Sequence, residues 1–201
     1  AYNSLEYTAS KHTRKFPSLW DFLGYKNRIR RRNFYRPDYD KIYAVTSKAF
    51  IGFRDRVLLN DVFRQSNNAS FFQFNNSNII VFDAIVSHGL IDFAPYIKGV
   101  QEFLSIVFLE VQKEVYFKFH PAQSEQERIE IIKILQKFTN IKFVELSSEV
   151  ILEEIAANAK DITFYFNASA VAIYAHEYEH KCYSFSKILG QYSGKYARYF
   201  D

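Results

Sequence analysis

Apolar and polar residues alternate in blocks along the second half of the chain, and the blocks predict strands and helices in turn. Residues 78–84 (NIIVFDA) form a continuous apolar run, which is typical of a strand buried on both faces. Between residues 96 and 111 the apolar positions recur every three or four residues and predict one helical stripe. The later blocks predict strands at 114–120, 141–145, 161–166 and 181–185, and helices at 124–138, 148–157, 168–177 and 186–199.

Strands that alternate with helices at this spacing predict an α/β fold, a Rossmann-like parallel sheet with flanking helices. The helix at 124–138 has the clearest start, because Ser124 followed by Glu127 makes a capping box. Its apolar face is expected at Ile129, Ile132, Leu135 and Phe138. Ser148 is a candidate N-cap for the helix that follows.

A polar stretch at residues 65–78 (QSNNASFFQFNNSN) divides the chain, because Asn and Ser favour turns over regular structure. We therefore predict two parts, residues 1–75 and residues 76–201. Before the boundary, residues 41–47 (KIYAVTS) favour a strand, whereas residues 57–63 (VLLNDVF) are ambiguous.

Composition excludes several classes of protein. The chain has 201 residues and a single cysteine, Cys182, which excludes an intramolecular disulfide and a cysteine-rich zinc module. No window approaches the ~18 uninterrupted apolar residues that a membrane-spanning helix needs. No apolar core follows the first basic residues, so we expect no signal peptide and a cytoplasmic location.

The net charge is only +4, but basic residues crowd between Arg28 and Arg36, interleaved with aromatic side chains. Three interpretations compete for this basic segment: a solvated surface, an anionic membrane surface, and nucleic acid. The run is short and the rest of the chain is balanced in charge, so nucleic acid is not expected.

Residues that can carry chemistry follow the predicted strands, where ligands bind in parallel sheets. In the first group, Pro121 ends a strand because it has no N–H, and Lys118 and His120 alternate to the same face. An ammonium beside an imidazole suits an anionic ligand such as a phosphate. The alternative is a strand-end His bonded to its loop beside an ordinary surface Lys.

The second group, Asn167, Ala168 and Ser169, opens the helix after the strand at 161–166, and the N–H groups of a helix start bind phosphate. The alternative is a plain N-cap. In the third group, Glu149 lies in the predicted first turn of a helix, where it either complements the helix dipole or accepts hydrogen bonds from a ribose. Neither a G-x-G-x-x-G nor a Walker A sequence occurs, which disfavours a dinucleotide dehydrogenase or a P-loop NTPase.

The segment His176-Glu177-Tyr178-Glu179-His180 matches the zinc-protease pattern H-E-x-x-H. We discount the match, because the residues after His180 include no further His or Glu to serve as a third ligand. The pattern also lies where a helix is expected to give way to a strand, so His180 is not expected to be helical.

Taken in order, these groups resemble the nucleotide-binding domain of bacterial sialyltransferases of the GT-B type. Glycosyltransferase family 52 is the most similar, and families 38 and 80 are more distant. His120-Pro121 within VYFKFHP matches the HP motif, Ser169 in YFNASA matches the later serine motif, and Glu149 matches the glutamate that holds the CMP ribose. The similarity covers residues 78–185.

The resemblance implies a C-terminal GT-B domain that takes part in inverting transfer of sialic acid from CMP-sialic acid to a galactoside of lipooligosaccharide or capsule, without a metal cofactor. It implies that His120 assists the departing CMP phosphate, that Lys118, Pro121, Asn167, Ala168 and Ser169 contact the donor, and that Glu149 holds the ribose. The family's acidic motif, which carries the general base, has no match here. We therefore expect the chain to be the C-terminal portion of a longer enzyme.

The partners implied are CMP-sialic acid, a glycan acceptor and, for the basic segment, the anionic inner membrane; a homodimer is left open. Two alternatives also stay open. One is another GT-B transferase of capsule or teichoic acid synthesis, and the other is a non-catalytic anion- or membrane-binding module.

Overall fold

The structure of the protein is a computed structural model that describes residues 41–44, 56–59, 69–108 and 114–199. The chain divides into two compact units, Ala1–Val62 and Phe63–Asp201. In the first unit, β1 (Ile42–Ala44) pairs in parallel with β2 (Arg56–Leu58). The strand predicted at residues 41–47 is therefore confirmed over Ile42–Ala44. The basic segment between Arg28 and Arg36 lies outside the described residues.

The second unit is built on one parallel sheet flanked by helices, which confirms the predicted α/β class and is compatible with a Rossmann-like fold. Its strands are β3 (Asn78–Phe82), β4 (Glu114–Phe119), β5 (Lys142–Glu145), β6 (Thr163–Phe166) and β7 (Lys181–Ser184). All neighbours are parallel and the order across the sheet is β5-β4-β3-β6-β7. The chain thus starts in the middle of the sheet, builds to one edge and then crosses to the other side, as in doubly wound folds.

The described part of this unit contains one 3-10 helix and six α-helices, four of which connect successive strands. They are a 3-10 helix (Ala69–Phe74), α1 (Phe93–Phe108), α2 (Glu125–Leu135), α3 (Leu152–Asn158), α4 (Val171–Glu177), α5 (Ser186–Tyr192) and α6 (Gly194–Ala197). The helix predicted at 186–199 is two short helices, because the chain is extended at Ser193, whose hydroxyl caps α6 by accepting from Tyr196 N–H. None of the helices in these ranges has the length and apolarity needed to cross a membrane.

Alternate residues of β3 point into two separate cores. Ile80 and Phe82 join one core with α1, α2 and α5, whereas Ile79 and Val81 join the other with α3 and α4. This is why residues 78–82 show no polar alternation: both faces of the strand are covered.

The apolar face of α2 differs from the prediction. Glu127, Ile131, Ile134 and Leu135 are its buried residues, and Ile129 is 44% exposed. The prediction was wrong for Ile129, because a charged residue takes the first core-facing position and shifts the stripe around the helix.

Helices α1 and α5 approach closely at Gly99. A Cβ on Gly99 would lie 2.6 Å from Leu189 Cδ2 and 3.3 Å from Leu189 Cα. Because Leu189 is fully buried, the absence of a side chain at Gly99 allows this contact.

Candidate functional site

The order in which the chain adds strands to the sheet reverses between β3 and β6. Three strands end beside this topological switch point. β4 and β5 lie on one side of β3, and β6 and β7 lie on the other. Ligands of such sheets bind outside the carboxyl ends of the strands at the switch point. Asp83, His120 and Asn167 directly follow β3, β4 and β6. They therefore define the candidate site.

Asp83 holds the turn that leads from β6 into α4. Its Oδ2 accepts hydrogen bonds from the N–H groups of Asn167 (3.3 Å) and Ala168 (3.2 Å). The next residue, Ser169, accepts a hydrogen bond from Val171 N–H through its Oγ at 3.3 Å. The N–H groups of this turn were predicted to bind a ligand phosphate, but two of them donate instead to the chain's own Asp83 carboxylate.

Asp83 lies between the two main predicted groups of site residues, that of His120 and that of Ser169. Burial raises the pKa of the Asp83 carboxyl, and the N–H groups of Ala168 and Asn167, the charge of His120 and the Ser169 hydroxyl act in the opposite direction. His120 and Ser169 come from separate β-α units, and the backbone places both beside Asp83: His120 N–H donates to the carbonyl oxygen of Phe82 (3.0 Å), and Ser169 directly follows Ala168. The structure thus brings these two predicted site residues together.

One ring nitrogen of His120 is available to bind a ligand. Its Nδ1 accepts a hydrogen bond from Ala122 N–H at 3.1 Å, and the side chain is exposed. A ring nitrogen that accepts carries no proton, so the neutral imidazole has its hydrogen on Nε2. β4 ends at Phe119 and Pro121 opens the turn, as predicted. The Nε2–H donor therefore belongs to a fixed strand-end turn.

Arg128 adds a positive charge to this turn. Its Nη2 donates to the carbonyl oxygens of His120 (3.2 Å) and Pro121 (3.3 Å), and its guanidinium carbon lies 5.7 Å from the centre of the Phe119 ring. A guanidinium over a ring face is favourable. The arrangement keeps a permanent cation beside the backbone that carries His120.

A second imidazole, that of His88, stands beside His120. The two rings lie 6.1 Å apart between centroids, at an interplanar angle of 75°, and both residues are exposed. His88 belongs to the turn after β3, where its N–H donates to Ala84 O at 3.0 Å. Gly89 follows with a φ of 68°, a conformation that favours glycine.

One buried carboxylate supports the loops of both histidines. Glu127, which is 1% exposed, accepts through Oε2 from Ser124 N–H (2.9 Å), Ser124 Oγ (2.8 Å) and Ser87 Oγ (2.7 Å). The capping box predicted at Ser124 and Glu127 is thus confirmed. Ser87 precedes His88, and Ser124 ends the loop that starts at His120, so Glu127 joins the two loops.

Asn167 is anchored by its backbone and leaves its amide unpartnered. Its carbonyl oxygen accepts from Ser184 Oγ (2.8 Å) and Ser186 Oγ (2.6 Å). The residue is 3% exposed, and neither Oδ1 nor Nδ2 has a hydrogen-bond partner among the described residues. A buried amide without a partner is uncommon, and such exceptions concentrate where a ligand or water completes the bonds.

Lys118 holds a loop in this structure. Its Nζ donates to the carbonyl oxygens of Ser147 (2.8 Å), Ser148 (3.0 Å) and Val150 (2.6 Å), and burial lowers its pKa. An ammonium has three hydrogens, and these three bonds use all of them. In this arrangement Lys118 has no donor left for a phosphate, so its position does not match the predicted contact.

Glu149 lies in the loop that Lys118 holds. The residue is exposed and its N–H donates to Ser147 Oγ at 3.3 Å. The helix predicted to begin at Ser148 begins only at Leu152, and its N-cap residue Ile151 makes no side-chain cap bond. The prediction that Glu149 opens this helix is therefore wrong; its contact with a ribose stays a prediction.

The H-E-x-x-H segment does not form one helical face. α4 ends at Glu177, and Glu179 has a φ of 62°, so His180 lies beyond the helix. His180 is buried, its Nδ1 accepts from Ile162 N–H (3.3 Å) and its Nε2 donates to Ala156 O (2.7 Å). Both ring nitrogens of His180 therefore bond to backbone groups of neighbouring elements. The prediction that His180 is not helical is confirmed, because α4 ends at Glu177. Within the described ranges, no group of three His, Cys, Asp or Glu side chains is arranged to hold a metal.

Three residues at the carboxyl ends of the strands were not predicted as site residues: Asp83, His88 and Arg128. Asp83 was the last residue but one of the strand predicted at 78–84, but its hydrogen-bond partners lie 84 and 85 residues away in the sequence. The SHG sequence around His88 had a turn signal in Gly89. Arg128 is one basic residue on a helix, and nothing local distinguishes it.

Comparison with known proteins adds no assignment to this geometry. No known protein family, curated protein or solved structure matches the chain.

Proposed function

We propose that the second unit binds a nucleotide-activated sugar at the switch point, as the C-terminal domain of a GT-B glycosyltransferase that uses CMP-sialic acid. The observation that carries the proposal is that the turns after β4 and β6 meet at the end of β3. Asn167 and Ala168 donate through their N–H groups to the Asp83 carboxylate, and His120 N–H donates to the carbonyl oxygen of the preceding residue, Phe82 (3.0 Å). The identity of the donor comes from the resemblance to family 52 sialyltransferases.

The groups at the carboxyl ends of β3, β4 and β6 suit both parts of such a donor, the phosphate and the sugar. The Nε2–H of His120 is a donor for a phosphate oxygen, and the Arg128 guanidinium behind it adds positive charge. Asp83 accepts hydrogen bonds, and a carboxylate is a natural acceptor for sugar hydroxyls. The unpartnered amide of Asn167 offers one donor pair and one acceptor. A ligand with both a phosphate and hydroxyl groups uses all of them.

In the proposed reaction an acceptor hydroxyl attacks the anomeric carbon of the donor. The new carbon–oxygen bond forms while the bond from this carbon to the phosphate oxygen of CMP breaks, and the electron pair stays on the phosphate. The proton of the acceptor hydroxyl passes to the general base, which the resemblance assigns to an acidic motif that has no match in this chain. The His120 Nε2–H hydrogen-bonds to that oxygen as its charge grows, which favours the transition state over the ground state. As the resemblance implies, no metal is required, and the protein works in the cytoplasm, with the basic segment facing the inner membrane.

Calorimetric titration of the chain with CMP, CDP and UDP tests the proposal. We expect CMP to bind tightest and His120→Ala to weaken it by about tenfold or more, since a hydrogen bond to a charged group contributes about 1.5–3 kcal/mol. His176→Ala is the matched control, because α4 carries His176 away from the carboxyl edge. Absence of CMP binding, or equal binding by His120→Ala, would contradict the proposal. Tighter binding of CDP or UDP would favour the capsule or teichoic acid alternative.

A further inference from the structure

His88 and His120 lie side by side on the turns after β3 and β4. Their ring centroids are 6.1 Å apart at an interplanar angle of 75°, and both residues are exposed. The Nδ1 of His120 accepts from Ala122 N–H, so Nε2 is the nitrogen left to donate to a ligand. The ring of His88 has no hydrogen-bond partner among the residues that the structure describes, so it also has an N–H to donate.

At these two turns the carboxylates are buried, whereas the groups that can carry positive charge reach the surface. Asp83 is 9% exposed and Glu127 is 1% exposed, and each accepts hydrogen bonds from the chain itself. His88 and His120 are exposed, and Arg128 is half-buried. A ligand that approaches the turns therefore meets N–H donors beside one permanent cation, an arrangement that attracts an anion.

A phosphate has the right size for two imidazoles at this distance. An N–H···O bond joins heavy atoms about 2.7–3.2 Å apart, so donors separated by roughly 5–8 Å can bind two oxygens of one phosphate. The two rings are in edge-on contact, so both can reach the same small anion although no sugar fits between them. A phosphate monoester such as CMP carries about two negative charges near neutral pH, which favours a second donor.

The two turns have a common support, which fixes the distance between the rings. Ser87, the residue before His88, donates through Oγ to Glu127 Oε2 at 2.7 Å. Ser124 N–H, at the end of the loop after β4, donates to the same oxygen at 2.9 Å. The N–H of His88 itself donates to Ala84 O at 3.0 Å. A pair of donors that is held in place before the ligand arrives loses less conformational entropy on binding.

We infer that His88 is a second phosphate-binding residue, which donates a hydrogen bond to the same phosphate group that His120 binds; this rests on the proposed function. Two imidazoles from successive β-α units then hold separate oxygens of one phosphate, and Arg128 adds charge behind them. His88 takes no proton from the acceptor in this arrangement. Because CMP keeps its phosphate after transfer, the product alone is a sufficient probe.

Calorimetric titration of the full chain with CMP, and with cytidine, which lacks the phosphate, tests the inference. His88→Phe keeps a ring beside His120 but has no nitrogen, whereas His88→Gln keeps an N–H donor. We expect His88→Phe to bind CMP about tenfold more weakly than wild type, and His88→Gln to recover about threefold of this loss. The affinity for cytidine should stay within about twofold in both variants. His176→Phe is the matched control, since this exposed imidazole lies on α4.

Each alternative outcome decides the inference. Binding of CMP by His88→Phe within about twofold of wild type overturns it, and leaves the proposed function standing if His120→Ala still loses affinity. Equal weakening of CMP and cytidine also overturns it, because His88 would then act on the fold or on the nucleoside. The same holds if His88→Gln binds CMP no more tightly than His88→Phe. A chain that does not bind CMP removes the proposed function, and the inference with it.

Discussion

The carboxylate of Glu127 offers the sharpest test of how the candidate site is supported. Replacement by Ala removes the single oxygen on which Ser87 Oγ, Ser124 N–H and Ser124 Oγ converge. It also removes half of the capping box of α2 and leaves a space in a position that is 99% shielded, since Glu127 is 1% exposed. We therefore expect a loss of stability that is large for a polar residue.

The magnitude follows from opposing contributions. A hydrogen bond to a charged group contributes about 1.5–3 kcal/mol, and loss of a helix cap costs about 1 kcal/mol. Ser87 and Ser124 are exposed, so water replaces part of what they lose, and removal of a buried charge recovers part of its desolvation. We expect a net loss of about 2–3 kcal/mol in the free energy of unfolding for Glu127→Ala. Glu127→Gln keeps one acceptor oxygen and the shape, so about 1 kcal/mol is expected.

Urea unfolding followed by circular dichroism measures these differences, with Glu125→Ala as the matched control. Glu125 lies in the same first turn of α2 but is exposed, so its loss should stay within about 0.5 kcal/mol. A loss below about 1 kcal/mol for Glu127→Ala, or an equal loss for Glu125→Ala, would refute the view that Glu127 joins the two loops.

Three further outcomes are expected. Gly99→Ala should lose about 1–3 kcal/mol in urea unfolding, because its Cβ meets α5, whereas Gly194→Ala, which meets open space, should lose nothing. Lys118→Met should lose about 1–2 kcal/mol and speed hydrogen exchange in the loop before α3, unlike Lys133→Met at an exposed ion pair; equal exchange would contradict the three-carbonyl arrangement. Burial raises the pKa of the Asp83 carboxyl in the folded chain. At a pH between its ordinary and its raised pKa, the folded chain therefore binds more protons than the unfolded chain, and the protein loses stability as the pH rises. Relative to wild type, Asp83→Asn should therefore gain stability as pH rises above 3.8, the ordinary pKa of an aspartate, and a constant difference would argue against the raised pKa.

Features that depend on neighbours in sequence were predicted well. The strands and their alternation with helices follow from apolar blocks, and the capping box at Ser124 and Glu127 is a contact between residues three apart. The end of β4 before Pro121 follows from the missing N–H of proline. These features gave the fold and the location of His120.

Features that depend on distant partners were not predictable in this way. Asp83 and Asn167 meet because parallel strands β3 and β6 are neighbours, although the residues lie 84 positions apart. The late start of α3 accompanies Lys118, whose ammonium binds three carbonyls of the preceding loop. Ile129 was assigned to the core because the periodicity of apolar residues cannot register a buried Glu127.

The attachment of two loops to Glu127 limits how this domain can change. A loop that is fastened only to its own strands can be exchanged or lengthened independently of the rest. Here the turn after β3 and the turn after β4 share an anchor, Glu127. Either turn, if transferred to another protein, would lose its geometry unless Glu127 and the other turn were transferred with it. We therefore expect the two turns and Glu127 to be retained or lost together in evolution.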